Sequence, residues 1–574
     1  MREADQAAIR KGKMSKMSLR SVQNDSQAAE YRRLGYWKDR LLIDYIDEHA
    51  GRTPDKVAIT DNRGSTTYRQ LAQKTENLAA ALLRLDIGSG EVVAVQAPNW
   101  TELAVAHLAL DRIGAIFLPV HDGFRAEEMR HILGPSKAVA LVLPARYRDF
   151  DHRRLANALA ADLPALRHRI ILRDEPLGAE LSFDALCNDD SWRTGNGDAW
   201  LRQYRVPAQS PLQIMVSSGT TSIAKCSLFS DNNMAFKLMG QYGSFATQMT
   251  DSDIGAAIAP AGTGATGYNY PIIAPLLHGG STVMLERWDG NHPEEAFALI
   301  EKHRCTFAVV IPTQLVKMVR SPLAGNYDLG CLRFISNAGA KLAATDAEAA
   351  ERIFGCPVQT VYGATDSGVP TMTRVTDPAE KRRTAGHILP GEELKIVRDD
   401  GSIAGAGEPG EVMWRGANSS YGYLTGSAEL DKAWDADGWY HSGDLGTLDS
   451  EGYLTIVGRK KDMIIRGGRN INPRQIEEIL IRHPAVIDAA IVAVSDSVLG
   501  EQIGAAIVAA PDKAQPELGE LTRFVVDAGL PKWCQPEYLL VFDDFPRNAG
   551  GKIDKSQLSV ALEKLAAAKR ESQS

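Results

Sequence analysis

Residues 217–226 read Ser217, Ser218, Gly219, Thr220, Thr221, Ser222, Ile223, Ala224, Lys225 and Cys226, directly after the apolar run Ile214, Met215, Val216. A strand entering such a turn offers backbone N–H groups, hydroxyls and one ammonium, a donor set suited to the oxygens of a polyphosphate. The spacing departs from the Gly-Lys-Ser/Thr nucleotide loop, because Gly219 is the only glycine and Cys226 follows Lys225. Taken alone, a Ser/Thr/Gly turn is more often a plain loop.

Other segments share the theme. Tyr362, Gly363, Ala364, Thr365 and Asp366 follow an apolar run ending at Val361, so an aromatic face, a hydroxyl and a carboxylate stand at the carboxyl end of a predicted strand, where open α/β sheets bind ligands. Asp444 beside Gly443 is placed as an acceptor for ribose hydroxyls, although a turn aspartate is the plainer reading. Arg459 can reach a phosphate or ribose, or simply belong to the solvated run with Lys460, Lys461 and Asp462. Gly467 and Gly468 make a turn that lets backbone approach a ligand. Lys552 ends the glycine-rich stretch 546–552, a surface lysine if considered alone.

Short apolar runs at 56–60, 92–96, 115–120, 139–143 and 169–172 alternate with amphipathic helical stretches, and the pattern resumes at 281–285, 306–311, 332–336 and 358–362. That alternation predicts layered α/β architecture, with residues 103–113 as a helix buried between sheets. Past Arg415 short strands and Gly/Asp turns predict a β-subdomain, and a fresh pattern after the charged joint predicts a small separate domain over 459–574. The length of 574 residues requires more than one core. A net charge of -8, from 64 basic and 72 acidic residues, gives no footprint for nucleic acid or an anionic membrane. Six scattered cysteines fit a reducing compartment and a cytoplasmic location. Residues 1–29 read as a disordered tail without a signal peptide, and no apolar run of about 18 residues predicts a membrane span.

Taken together these segments resemble the adenylate-forming superfamily of acyl- and aryl-CoA synthetases, peptide-synthetase adenylation domains and luciferases, over residues 36–565 and with the motifs in the family's order. The resemblance implies a large N-terminal domain over 30–458 and a mobile α+β C-terminal domain swinging about a hinge at Lys461. It implies that Ser217 to Ser222 and Lys225 bind ATP phosphates and that Asn337, Ala338, Gly339 and Ala340 lie beside the adenine. Tyr362, with Gly363 and Ala364, stacks on the adenine, Thr365 contacts phosphate and Asp366 holds Mg²⁺. Asp444 takes the ribose hydroxyls and Arg459 the ribose or phosphate. Lys552 bridges carboxylate and α-phosphate, and the Gly467–Gly468 face lines the thiol channel. The implied reaction joins a carboxylic acid to coenzyme A through an acyl adenylate, in an enzyme that is often a homodimer.

Four departures from the family pattern bear on this expectation. Ser222, Ala224 and Cys226 stand where the loop usually carries Gly, Pro and Gly; Asp366 replaces Glu; Asn548 replaces Thr; and Gly264 replaces a His or aromatic residue. The first two bear on ATP and Mg²⁺, and raise the reading of a weakened or lost adenylation step, with the acyl adenylate supplied by a partner enzyme. Gly264 implies room for a bulky or cyclic acid, lined by Ala265, Thr266, Tyr268 and Asn269 with Asn337 and Ala338; the alternative is a differently folded loop filled by Tyr268 or Tyr270. Residues 31–37 resemble aryl-acid enzymes that load carrier proteins, so a carrier thiol is the alternative acceptor. A luciferase-like oxygenase and a non-catalytic binding homologue are the readings from other classes.

Overall fold

Val92–Gln96, Ile116–Val120 and Ala140–Pro144 are buried at every position, which is why they read as unbroken apolar runs: each is a parallel strand covered on both faces. The computed structural model describes residues 24–193, 197–217, 225–424, 432–511, 513–547 and 552–571. Ser218, Gly219, Thr220, Thr221, Ser222 and Asn548, together with most of the N-terminal tail, lie outside the described residues.

The chain divides into two compact units, residues 1–394 with 414–440, and residues 395–413 with 441–574. The second unit therefore also takes in residues ahead of Arg459.

In the first unit one sheet runs in spatial order Lys225–Ser230, Pro211–Ser217, Ile116–Val120, Val92–Gln96, Ala140–Pro144, His168–Leu172, Leu181–Ser182. Another runs Gly386–Ile388, Gly368–Met372, Val358–Ala364, Phe334–Ala338, Phe307–Val310, Ile254–Ala257, Ser281–Met284, Val57–Asp61, Gly64–Thr67. Side-chain alternation splits each strand between two cores. Val93 and Val95 join a central core with Ile59, Val309 and Phe334 of the other sheet, whereas Val92 and Ala94 pack outward on Met129, Ile132 and Leu155. The helix Thr101–Arg112, buried along its whole length, lies in that central core with Tyr68–Arg84, which gives helix–sheet–helix–sheet–helix layering. Two of its charges are paired: Arg112 reaches Asp47 Oδ2 at 3.0 Å and Glu102 holds Arg173 at 2.6 Å.

In the second unit Val486–Asp496 and Gly500–Ala509 form a long antiparallel pair, joined by Tyr538–Phe542 in parallel and by the hairpin Ile464–Arg466 and Arg469–Ile471. The helices Pro473–Leu480 and Leu518–Asp527 bury one face of this sheet and Lys555–Glu571 the other.

Candidate active site

Ser217 and Lys225 are opposite each other in the antiparallel pair Pro211–Ser217 and Lys225–Ser230. Residues 421–424 run beside that pair, with Leu228 N–H donating to Gly422 O at 3.0 Å and Leu424 N–H to Cys226 O at 2.8 Å. This edge brings in Tyr423, which sequence reasoning missed. Lys225 Nζ donates to the Tyr423 hydroxyl at 3.3 Å and lies 4.9 Å from the ring centroid, while that hydroxyl donates to Asp366 Oδ2 at 2.8 Å. Asp366 Oδ1 is buried without a hydrogen-bond partner among the described residues. Burial, and then the Asp366 charge, push the Cys226 thiol up to about 12, so it is an inert neighbour.

Thr365, Asp366 and Ser367 form the turn between Val358–Ala364 and Gly368–Met372. Gly363 has no substitute there, because a Cβ would stand 2.4 Å from the Gly368 carbonyl oxygen. Residues 418–420 clamp the turn from outside. Asn418 accepts from Val369 N–H at 2.9 Å and donates to Val369 O at 2.8 Å, and Ser420 Oγ donates to Asp366 O at 2.6 Å. Beneath Asn418, burial drives Glu392 up to about 8, and Lys237 down to about 7.

Asn337 and Ala338 end the strand Phe334–Ala338, in register with Thr360 and Val361, so they stand beside the strand that delivers Tyr362; Gly339 and Ala340 continue exposed. Asn337 is fully buried, and neither its Oδ1 nor its Nδ2 has a partner among the described residues. Tyr362 is set edge-on to Trp414, with ring centroids 6.0 Å apart.

The acyl segment departs from expectation. Gly264 takes φ +77°, and a Cβ there would stand 3.0 Å from Met215 Cε, so a methionine methyl already lines the room inferred beside it. Tyr268 is a core residue: fully buried, it pairs with His107 Nδ1 at 2.9 Å and packs on Phe117. Burial drives His107 down to about 3, so its imidazole is neutral. Ala265 and Thr266 remain partly exposed at the start of the wide-turned helix Ala265–Ile273. Asn269 is buried with weak partners, Gln213 Nε2 at 3.4 Å and the sulfurs of Met215 and Met234 at 3.8 and 3.7 Å. Gln213 Oε1 is also unpartnered among the described residues.

The second unit pairs two predicted residues directly: Asp444 and Arg459 are in register, and Arg459 Nε donates to Asp444 Oδ1 at 2.6 Å. Gly467 and Gly468 form a two-residue hairpin turn with φ +56° and +75°, a conformation that glycine adopts without strain. Lys552 is exposed, next to Ile553, which bridges to Arg547.

Comparison with known proteins accounts for both units. The AMP-binding enzyme family matches residues 46–424 and the AMP-binding enzyme C-terminal domain matches residues 475–552. The chain belongs to the AMP-binding enzyme family. It is 34% identical over 540 residues, 92% of each chain, to the salicyl-AMP ligase / salicyl-S-ArCP synthetase of Mycobacterium tuberculosis (strain ATCC 25618 / H37Rv). To the medium-chain fatty-acid–CoA ligase of Escherichia coli (strain K12) it is 31% identical over 546 residues, 94% of each. The crystal structure of the anthranilate CoA ligase AuaEII with anthranoyl-AMP shares the fold, with a TM-score of 0.80 at 22% identity over 92% of this chain and 98% of that one. This member of the AMP-binding enzyme family is thus an adenylate-forming ligase.

For the magnesium expected from the family, a fitting donor among the described residues is the buried, unpartnered Oδ1 of Asp366. Among the described residues no group of three or more His, Cys, Asp or Glu side chains gathers to hold a metal. Mg²⁺ takes one or two carboxylates and draws its remaining ligands from phosphate and water. No helix among the described residues is long and apolar enough to cross a membrane.

Proposed function

We propose that this chain adenylates a polar-substituted aryl acid with ATP and transfers the aroyl group to a phosphopantetheine thiol. The observation that carries the first step is the assembled set of Lys225, Tyr423 and Asp366 at the ends of the strands Pro211–Ser217 and Lys225–Ser230 and the turn after Ala364. A cation and a carboxylate with one open oxygen persist there despite the changes at Ser222, Ala224 and Cys226, and support adenylation by this chain rather than by a partner enzyme.

In that step the acid's carboxylate oxygen bonds to the α-phosphorus, and the bond to the bridging oxygen breaks as pyrophosphate leaves with the electron pair. Lys225 and Lys552 offset the charge that gathers, which is where such catalysis is strongest; bound Mg²⁺ would add charge neutralisation at Asp366. Thr365 contacts phosphate, Tyr362 the adenine, and Asp444 with Arg459 the ribose. In the second step the thiol sulfur attacks the aroyl carbonyl carbon, AMP leaves, and the thiol proton passes to solvent. Residues 459–574, swinging about Lys461, exchange Lys552 for the Gly467–Gly468 turn between the two steps.

The aryl reading rests on buried amides in apolar surroundings. Asn337, Gln213 and Asn269 carry hydrogen-bonding capacity that hydroxyl or amino substituents on a ring would use and an alkyl chain would not. A carrier-protein thiol is the acceptor favoured by the similarity to the salicyl-S-ArCP synthetase, and coenzyme A is the second reading, favoured by the similarity to the fatty-acid–CoA ligase. The protein would work in the cytoplasm. Incubation with ATP, Mg²⁺ and salicylate, then with either coenzyme A or a phosphopantetheinylated aryl carrier protein, tests the acceptor. Thioester on the carrier is expected, and thioester on coenzyme A alone would overturn that choice.

A further inference from the structure

The Tyr423 hydroxyl meets two groups of opposite charge and has one proton to give. Its hydroxyl donates that proton to Asp366 Oδ2 at 2.8 Å, and the lone pairs left over accept from Lys225 Nζ at 3.3 Å. The bridge thus has a fixed polarity, matched to an ammonium on one side and a carboxylate on the other. With Oδ2 occupied, the carboxylate keeps one oxygen, Oδ1, buried and unpartnered among the described residues.

The phenol is itself held. Tyr423 pairs with Ser227 across the added edge, and its ring meets Trp434 edge-on at 5.2 Å. Trp434 packs on Tyr440 at 5.0 Å, Tyr440 on Trp414 at 4.7 Å, and Trp414 on Tyr362 at 6.0 Å. One aromatic arc therefore runs from the tyrosine expected against adenine to the tyrosine between the lysine and the carboxylate.

We infer that Tyr423 is a positioning residue for adenylation, joining Lys225 to Asp366 so that the shorter aspartate presents Oδ1 as its single metal-facing oxygen. This rests on the reading that Lys225 and Asp366 serve Mg·ATP, and is independent of which acid or thiol is used. A phenol locking one carboxylate oxygen fixes the other's direction, which a hydrogen-bond partner outside the ligand sphere does for metal ligands generally.

Tyr423→Phe keeps the ring and the arc and removes only the hydroxyl. Calorimetric titration of the acid-free protein with ATP, with and without Mg²⁺, is compared with the Mg²⁺ dependence of pyrophosphate exchange and with thioester formation from a supplied aryl adenylate. The expected result is about tenfold weaker binding of Mg·ATP, the effect of one hydrogen bond to a charged group. Metal-free ATP should be less affected, the Mg²⁺ half-saturation higher, and the supplied-adenylate reaction reduced less than about threefold. Unchanged Mg·ATP binding, or equal losses with and without metal and in both half-reactions, would overturn the role of Tyr423. A wild-type protein that binds no Mg·ATP would overturn both this role and the adenylation reading. An unchanged melting temperature in Tyr423→Phe shows that the comparison is between folded proteins.

Discussion

Asn337→Val should make the ligand-free protein more stable and the enzyme worse. Asn337 is fully buried at the end of Phe334–Ala338, and both polar atoms of its amide lack partners among the described residues. An unsatisfied buried polar group costs about 1–3 kcal/mol, and valine fills a strand position of similar volume with no polar atom. The substitution should therefore stabilise the free protein by about 1–3 kcal/mol, raising the melting midpoint by about 1–3 °C in a unit of this size. If those atoms are reserved for ligand, the stabilisation on adding ATP and a hydroxylated aryl acid should shrink, and kcat/KM in pyrophosphate exchange should fall about tenfold for that acid but less for benzoate. Scanning calorimetry with and without ligands reads the first effect, and exchange kinetics the second. A variant that melts below wild type without ligand would refute the reasoning, because the amide would then be structural.

Arg459→Met removes the partner of Asp444 from a half-exposed pair, so it should cost under about 1 kcal/mol by denaturant unfolding while lowering adenylation more than about tenfold. Gly468→Ala meets no atom within 4 Å of the new Cβ but forces φ +75°, which should cost about 1–2 kcal/mol and slow thioester formation more than pyrophosphate exchange. Asp111 and Asp231, both buried, accept the N–H groups of Ile43 and Leu42 at 2.8 and 2.6 Å. Burial raises Asp111 to about 6 and Asp231 well above the ordinary carboxylate range. A pKa raised by folding means stability present at low pH and lost as pH rises through about 6. Asp111→Asn should flatten that loss and, at pH 8, recover about 2–3 kcal/mol in unfolding measurements.

Much of this protein is written locally in its sequence. Strands such as Val92–Gln96 are continuous apolar runs because both faces are covered, and the Gly467–Gly468 turn is legible because positive φ at both positions calls for glycine. Residues 217–226, 362–366 and 444 carried the family pattern because the roles the resemblance implies, toward phosphate, metal and ribose, would each demand particular atoms. What stayed hidden depends on contacts across the chain. Tyr423 lies 198 residues from Lys225 and 57 from Asp366, and becomes informative only when residues 421–424 lie along the edge of the strand Lys225–Ser230. The space expected at Gly264 could not be read from the missing ring, because Met215 on another strand supplies the methyl that lines it. Tyr268 likewise turns into the core to meet His107, a residue of a helix buried along its whole length.

Acid-dependent exchange of labelled pyrophosphate into ATP, run with salicylate, 2,3-dihydroxybenzoate, anthranilate, benzoate and octanoate, is the most direct test of aryl adenylation by this chain. Exchange with the hydroxylated or amino-substituted aryl acids, well above that with benzoate and octanoate, is the predicted result. Absence of exchange with every acid, while a supplied aryl adenylate is still converted to thioester, would contradict it.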